Sequence, residues 1–333
     1  MYRQNGLSLV ELMIAITLGL ILMTGVIQLF ISSRESFQAQ QSTSVIQESG
    51  RLAAELINRD LRMSGFTGFR GRMSAINNKL TPVTYKNDFL NGISVYEAKD
   101  VTDLAPLANT RALVIRGVLE GAGSELIKRS EEKKLTVGYI STEAGACKDK
   151  TNKINGMCVG DTLMVADYQK TIVFKATAIA KNASSVEISF AGTWGKPGPD
   201  YENYFMPGAR VSVARTVAYF IREGVSKRPS LYQKIDDEDA VELLEGVSNI
   251  AVKFNRFSST SSYSDATGKM NGLWNSKNDP VVSVQLELLI EGFADNVLEE
   301  KQVYEFDGKT VTAADRRLRN VFSTTIALRN QLP

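Results

Sequence analysis

The chain begins with an apolar, uncharged run that is long enough to cross a membrane. No charged residue occurs from Leu12 to Ser33, and the apolar stretch from Leu7 to Ser32 contains 26 residues. A helix rises about 1.5 Å per residue, so this stretch would extend about 39 Å, beyond the ~30 Å hydrocarbon core of a bilayer. We therefore predict a transmembrane helix over residues 7–32.

The sequence on either side of this run separates it from a cleavable secretory signal. The apolar core of a secretory signal has only about 7–15 residues and ends in small residues, and no such end follows the run here. The leader, residues 1–6, carries one charged side chain, Arg3. A positive leader favours a cytoplasmic N-terminus, so we expect the bulk of the chain on the opposite side of the membrane.

Glu11 is an unusual residue for a membrane helix. A carboxylate at mid-bilayer costs about 2.5–3.5 kcal/mol on insertion scales, and such a group is functional by default. Glu11 lies near one end of the run, where the cost is lower. One interpretation is that its carboxylate only reaches the headgroup layer, and the neighbouring residues provide another.

The segment Gly6–Glu11 reads GLSLVE and is followed by LMIAITLGLIL. It resembles the processing site of type IV prepilins, in which a dedicated peptidase cuts after the glycine and methylates the new N-terminal amine. The resemblance implies cleavage between Gly6 and Leu7, N-methylation of Leu7, and Glu11 as the fifth mature residue, where the family has glutamate. The family usually begins with phenylalanine; Leu7 departs from this and points to a less abundant member rather than the main fibre subunit.

Cleavage would give Glu11 an electrostatic role. The new amine of Leu7 would lie in the membrane or in a fibre core, where a buried charge is costly unless it is paired. A carboxylate of the same or a neighbouring subunit can supply that pair. We therefore hypothesise that Glu11 sets the register of subunits during assembly.

Helical periodicity continues beyond the membrane run. Polar residues cover one side of the segment, and apolar residues at spacings of four and seven form a stripe on the other. The stripe consists of Val45, Ile46, Leu52, Ala53, Leu56, Ile57 and Leu61. We predict one amphipathic helix that runs unbroken to about Ser64, before Gly65 and Gly68, and packs on a domain. Residues 7–64 thus form the N-terminal helix, and residues 65–333 form the globular domain.

The globular part changes to period-two alternation, which indicates half-buried strands. The clearest is Val282–Glu291, with Ser283, Gln285, Glu287 and Glu291 on its polar face and Leu289 as an exception. Further predicted strands are 112–118, 162–166, 172–179, 186–190, 211–221, 250–254 and 322–328, and Leu243 with Leu244 is assigned to a short helix. Since loops rather than long helices join these strands, we predict an α+β fold with a mainly antiparallel sheet.

Three later segments carry a second resemblance. They are VAYFIR (Val217–Arg222) with SLYQ (Ser230–Gln233), LLEGVSNIAVKF (Leu243–Phe254) and RRLRNVFSTTIALRN (Arg316–Asn330). In this order, after a prepilin-type N-terminus, they resemble PilW-like minor pilins and the related J-type minor pseudopilins of type II secretion. The resemblance covers residues 6 to about 64 and about 211 to 330, whereas about 74–207 shares only strand-like character.

The resemblance implies a structural assembly protein with a pilin-like fold. Its partners would be prepilin peptidase, other minor pilins, the major pilin and the inner-membrane assembly platform of a Gram-negative bacterium. The chain would start in the inner membrane with its bulk in the periplasm and join a priming or tip complex of a fibre used in motility, adhesion or DNA uptake. The alternatives are a minor pseudopilin and, more remotely, a membrane-anchored periplasmic enzyme or binding protein.

Cys147 and Cys158 are the two cysteines of the chain, and they bracket a lysine- and asparagine-rich loop. Outside the cytoplasm they should be oxidised, so we predict a disulfide. Two free thiols or half of a metal site are the alternatives. Zinc usually takes four ligands, commonly cysteine or histidine, and this chain has no histidine.

The remaining chemistry is sparse. The absence of histidine removes Ser–His and Cys–His pairs, and the net charge of +2 argues against a nucleic-acid partner. The acidic run Asp236–Asp239 is either a solvated turn or a calcium site, but its spacing is not that of an EF-hand. The loop Gly192–Gly208 is either a contact surface or a connection whose aromatic residues, Trp194, Tyr201, Tyr204 and Phe205, fold onto the domain. We expect no enzymatic activity, no metal and no cofactor.

Overall fold

The computed structural model describes residues 9–68, 76–192, 204–258, 263–268, 274 and 279–331. Within them one long helix, α1 (Leu9–Met63), precedes a β-rich domain. Its strands are β1 (Ile76–Asn78), β2 (Ile93–Glu97), β3 (Arg111–Glu125), β4 (Lys134–Gly138), β5 (Thr142–Glu143), β6 (Lys153–Ile154), β7 (Thr162–Ala166), β8 (Thr171–Lys181), β9 (Ser185–Phe190), β10 (Arg210–Glu223), β11 (Pro229–Ile235), β12 (Val241–Glu245), β13 (Val247–Arg256), β14 (Ser264–Asp265), β15 (Val281–Glu291), β16 (Val303–Phe306), β17 (Lys309–Thr312) and β18 (Arg319–Ala327). Two short 3₁₀ helices, Ala98–Asp100 and Thr102–Leu104, lie between β2 and β3.

The α+β prediction is confirmed. In the described residues the strands form sheets of ten, four, two and two strands, and every pair is antiparallel except β1 with β8. The central path of the large sheet is β12-β11-β10-β7-β8-β9-β4, and the small sheet has the order β14-β13-β15-β18. All the predicted strands occur, several of them longer than the alternation indicated.

The helix also runs unbroken as predicted. It has 55 residues and ends at Met63, and Gly65 then adopts a left-handed conformation with φ of 65° that glycine accepts without strain. The stripe prediction is half right. Ile46, Ala53, Ile57 and Leu61 are buried in one core with residues of the large and the small sheet, whereas Val45 and Leu52 remain 42% and 37% exposed.

The polar face of β15 is more buried than an alternating strand implies. Glu287 and Glu291 are each only 8% exposed, because basic side chains and a hairpin cover them. Lys253 Nζ lies 2.8 Å from Glu287 Oε1, and Arg319 Nη2 lies 3.2 Å from Glu291 Oε2. The backbone N–H of Asp307, in the β16–β17 turn, donates to Glu287 Oε2. Because these contacts compensate the two carboxylates, the β16–β17 hairpin and basic side chains can cover the polar face of β15.

The predicted short helix at Leu243 and Leu244 is wrong. Both residues lie in β12, which pairs antiparallel with β11. Helical periodicity cannot be distinguished from a strand over so short an apolar segment. The adjacent sequence also favours a strand, because Gly246 turns the chain with φ of 87° and leads directly into β13.

At Gly50, α1 approaches the small sheet closely. A Cβ atom at this position would lie 2.3 Å from the ring of Phe322 in β18. We predict that Gly50→Ala lowers the free energy of unfolding by about 1–3 kcal/mol, because the helix must lift or the ring must move. Chemical unfolding of the full chain in detergent measures this.

Gly25→Ala is the matched control, because a Cβ at Gly25 meets nothing within 4 Å. Alanine should there be neutral or slightly stabilising, since it favours helix over glycine by about 1 kcal/mol. Equal losses in the two variants would contradict close packing at Gly50.

Candidate functional site

The first half of α1 stands clear of the domain. Every residue from Leu9 to Phe37 is exposed, and the first buried residue is Ser42. These 29 exposed residues span about 44 Å of helix. By length and composition, α1 is the one helix of the described residues that could cross a membrane.

Glu11 lies in the first turn of α1 and is exposed. No other charged residue follows it on the helix until Arg34. Gly6 and Leu7 lie outside the described residues, so the cleavage site, the methylation at Leu7 and its pairing with Glu11 stay predictions.

A partly buried chain of hydrogen bonds joins the second half of α1 to the large sheet. The Tyr219 hydroxyl on β10 donates to Asp60 Oδ2 over 2.8 Å, and Gln233 Nε2 on β11 donates to the same hydroxyl over 2.8 Å. Burial, and then the nearby Asp60 carboxylate, raise the pKa of Tyr219. The phenol therefore stays protonated and keeps donating to the helix.

The end of α1 is held by segments from distant parts of the chain. Gly65 N donates to Arg116 O over 2.7 Å, and Asn330 Nδ2 donates to Ser64 O over 3.1 Å. Trp274, 1% exposed, packs its ring within 2.6 Å of where a Cβ of Gly65 would lie. When the Gln331 side-chain nitrogen is oriented to donate to Trp274 O, the Gln331 side-chain oxygen accepts a hydrogen bond from Trp274 Nε1 over 2.9 Å. Asn330 and Gln331 thus lie at the C-terminal end of α1.

Arg116 supports this junction from inside β3. Its side chain is only 1% exposed, and it donates to Tyr85 O, Asn91 O, Ser94 Oγ and Tyr96 Oη. Burial lowers its pKa, which expresses the cost of a charge in this environment. Four oxygen acceptors offset that cost and tie β3 to the segment before it.

A pocket of about 350 Å³ lies where α1 leaves the face of β3 and β10. Its polar lining includes Arg59, Asp60 and Arg215, and its apolar lining includes Met63 and Val217. Serine, threonine and cysteine are absent from the lining, so the described residues do not place a nucleophile beside a base here.

The predicted disulfide is confirmed. Cys147 and Cys158 are bonded, with their Cα atoms 5.8 Å apart. The bridged loop reaches the acidic turn, because Lys148 Nζ donates to Asp237 O over 3.2 Å. Next to the bridge, Met157 is fully buried in the apolar cluster of β4, β7, β8 and β9.

We predict that the double variant Cys147→Ser/Cys158→Ser loses about 3 kcal/mol of stability, the chain-entropy value for a loop of about 12 residues. Chemical unfolding of the oxidised wild type and the variant measures the difference. Reduction of the wild type should reproduce the loss and leave the variant unchanged. An unchanged unfolding midpoint in the variant would show that the disulfide does not stabilise the folded chain.

The acidic run forms the turn between β11 and β12. Asp236 is exposed as a whole residue, but desolvation of its carboxyl group raises the pKa to about 6, and its Oδ1 accepts the backbone N–H of Thr216. Asp237 is exposed and lies 3.7 Å from Lys86 Nζ. Across the described residues, no group of three or more cysteine, aspartate or glutamate side chains is arranged to hold a metal ion.

The aromatic loop is described only at its end, because Trp194 and Tyr201 lie outside the described residues. Phe205 is fully buried, and its backbone N–H donates to Ser130 Oγ over 2.8 Å. The guanidinium of Arg129 stacks 4.4 Å from the ring of Tyr204. These two aromatic residues fold onto the domain.

Comparison with known families matches two segments. Residues 218–330 match the family described as Type IV Pilus-assembly protein W, PilW. Residues 1–27 match the prokaryotic N-terminal methylation motif. No curated protein and no solved structure matches the chain.

The two matches cover the start of the chain and the second half of the β domain. The first begins within β10 beside Tyr219 and ends at Asn330, and the second contains Gly6, Leu7 and Glu11. An exposed apolar helix packed at its second half on an antiparallel β domain, with a methylation motif at its start, fits a type IV pilin-like protein anchored in a membrane. Together the two matches support a PilW-like minor pilin of the type IV pilus. Pilins are structural proteins, and the motif implies prepilin peptidase processing and pilus-assembly partners in general.

Proposed function

We propose that the chain is a minor pilin that is cut between Gly6 and Leu7, methylated at Leu7, and built into a priming or tip complex that starts pilus assembly. The observation that carries the proposal is the methylation motif at the start of a helix whose first 29 described residues are exposed. An apolar surface of this length needs an apolar environment, which the bilayer provides before assembly and packed helices of a fibre provide afterwards.

The proposed division of the chain follows from this. Residues 1–6 are the leader, residues 7–64 the pilin helix with its span over 7–32, and residues 65–333 the globular domain. The leader faces the cytoplasm of a Gram-negative cell, and the domain faces the periplasm until the fibre carries it to the surface. The partners are prepilin peptidase, the inner-membrane assembly platform, the major pilin and other minor pilins.

The junction between helix and domain supports a role in a pulled fibre. Force applied along α1 reaches the domain through buried apolar residues and through the contacts of Asp60, Ser64 and Gly65 with three distant segments. A helix that is held along its second half and at its end transmits movement to the domain as one body. That property suits a subunit extracted from the membrane by its helix.

Deletion of the gene tests the proposal against a pseudopilin function. We expect loss of surface fibres and of twitching motility, with secretion of type II substrates unchanged and with full rescue by the wild-type chain. Lost enzyme secretion with normal fibres would contradict the proposal and favour the pseudopilin. Normal fibres and normal secretion together would exclude both assembly functions.

A further inference from the structure

The small sheet ends in a strand with an open edge. β18 is the terminal strand of the order β14-β13-β15-β18, and it pairs with β15 along one edge without a register shift from Ser283 with Ala327 to Glu291 with Arg319. The opposite edge of β18 faces away from the sheet. Its backbone groups determine what can bind there.

The side chain of Gln302 shows which residues face that open edge. Arg319 N donates to Gln302 Oε1 over 2.7 Å, and Gln302 Nε2 donates to Arg319 O over 2.8 Å. The backbone of Arg319 therefore points away from β15, and in a regular strand every second residue does the same. Those residues are Val321, Ser323, Thr325 and Ala327. In agreement, the even-numbered Leu328 donates its N–H inwards, to Val282 O.

Across the described residues, no backbone hydrogen bond reaches this outer edge between Val321 and Ala327. Natural proteins usually protect such an edge with charge, proline, a bulge or a covering segment. The sequence VFSTTIA has no charge and no proline, and the strand has no bulge. Among the described residues Gln302 covers only the first position, so about 23 Å of strand edge is left open by them.

The direction of α1 restricts the occupant. Gly292, which pairs with Leu318, lies against Ser42 and Ile46, and Asn330 reaches Ser64, so β18 runs in the same direction as α1. Antiparallel pairing of two β18 edges would set two α1 helices in opposite directions. Two copies anchored in one membrane cannot do this, because their spans must leave the bilayer on the same side.

We propose that the outer edge of β18 binds an extended segment of a different subunit, which adds a strand to the small sheet. The segment has about six to seven residues, contains no proline at the pairing positions, and belongs to another chain with its own N-terminal membrane helix. The Gln302 amide blocks pairing beyond Arg319 and thereby fixes the register of the added strand. The identity of this partner as a pilus subunit rests on the proposed function.

Hydrogen exchange at single-residue resolution tests the pairing directly. In the isolated full chain in detergent, the amides of Phe322, Thr324 and Ile326 should exchange slowly, and those of Ser323, Thr325 and Ala327 quickly. In assembled fibres or the isolated subunit complex, the second set should become protected at least about tenfold while the first changes little. Unchanged exchange of the odd-numbered amides in the assembly would overturn the proposal.

A proline substitution and a matched alanine control at Thr325 test the same pairing by mutation. Thr325→Pro and Thr325→Ala both remove the hydroxyl, but only proline removes the outward N–H, and proline is tolerated at edge positions that face away from the sheet. With p-benzoylphenylalanine at Ser323, photo-crosslinking in cells should capture one extended segment of another subunit that begins with a methylation-type helix. Thr325→Pro should reduce this product at least about tenfold, and Thr325→Ala less than about twofold.

The remaining outcomes are equally decisive. A crosslink to a second copy of this chain, no crosslink, or equal crosslinking in the two variants would overturn the proposal. If Thr325→Pro loses its unfolding transition, Val321→Pro is used instead. A chain that starts at methylated Leu7 and enters fibres without protection at β18 refutes this inference alone, whereas an uncut chain refutes the proposed function.

Discussion

Gly6→Val is expected to leave the chain uncut, so that its first residue stays Met1. Residues 1–27 match the methylation motif, and the proposed cleavage follows the glycine. Valine adds a branched side chain beside the scissile bond, where the site otherwise has none. The measurement is the intact mass of the protein purified from the membranes of cells that contain prepilin peptidase. The uncut protein should also be absent from sheared surface fibres.

Leu7→Phe is the control for this substitution. It keeps Gly6 and introduces the residue that prepilins usually have at the first mature position, so the chain should be cut and methylated normally. Full processing of Gly6→Val would contradict the assigned cleavage site. Failure of Leu7→Phe alone would show that this site departs from the prepilin pattern at its first mature residue.

Glu11→Ala should produce the second large effect, a loss of assembly with normal processing. Leaving a buried charge without its counterion costs about 3–5 kcal/mol, and each 1.4 kcal/mol is a factor of ten. The fraction of mature chain found in sheared fibres should therefore fall at least about 100-fold. Quantitative immunoblots of the fibre and membrane fractions measure it.

Two variants separate charge from bulk at this position. Glu11→Gln keeps the size of the side chain and removes its charge, so it should fail nearly as fully as alanine. Glu35→Ala removes a carboxylate from the same helix beyond the apolar run, and it should assemble normally. Normal incorporation of Glu11→Ala would return Glu11 to the simpler interpretation, a carboxylate that reaches the headgroup layer.

The sequence predicted the parts of the fold that depend on local pattern. The unbroken course of α1, the presence of strands at β10 and β15, and the mainly antiparallel character of the domain follow from local patterns, and each is confirmed. The disulfide was also predictable, because the chain has only two cysteines and they are expected to be oxidised outside the cytoplasm. Val45 and Leu52 are not core residues, contrary to the prediction. Periodicity shows which side of the helix is apolar, but it does not show how much of that side the β domain covers.

The remaining features depend on contacts between residues far apart in sequence. Nothing near Asp60 indicates that Tyr219 will donate to it, and nothing near Ser64 indicates that Asn330 will reach it. Arg116 disrupts the apolar pattern of β3, and only the fold brings its four acceptors around it. The open edge of β18 likewise depends on sheet order, which alternation does not determine.

The mature N-terminus of the wild-type chain is the most direct test of the central claim. The protein is purified from sheared fibres and from membranes, and its intact mass and N-terminal peptide are determined. A chain that begins at N-methylated Leu7 in both fractions is the predicted result. A chain that begins at Met1 would contradict the assignment as a processed pilin and would favour a membrane-anchored periplasmic protein.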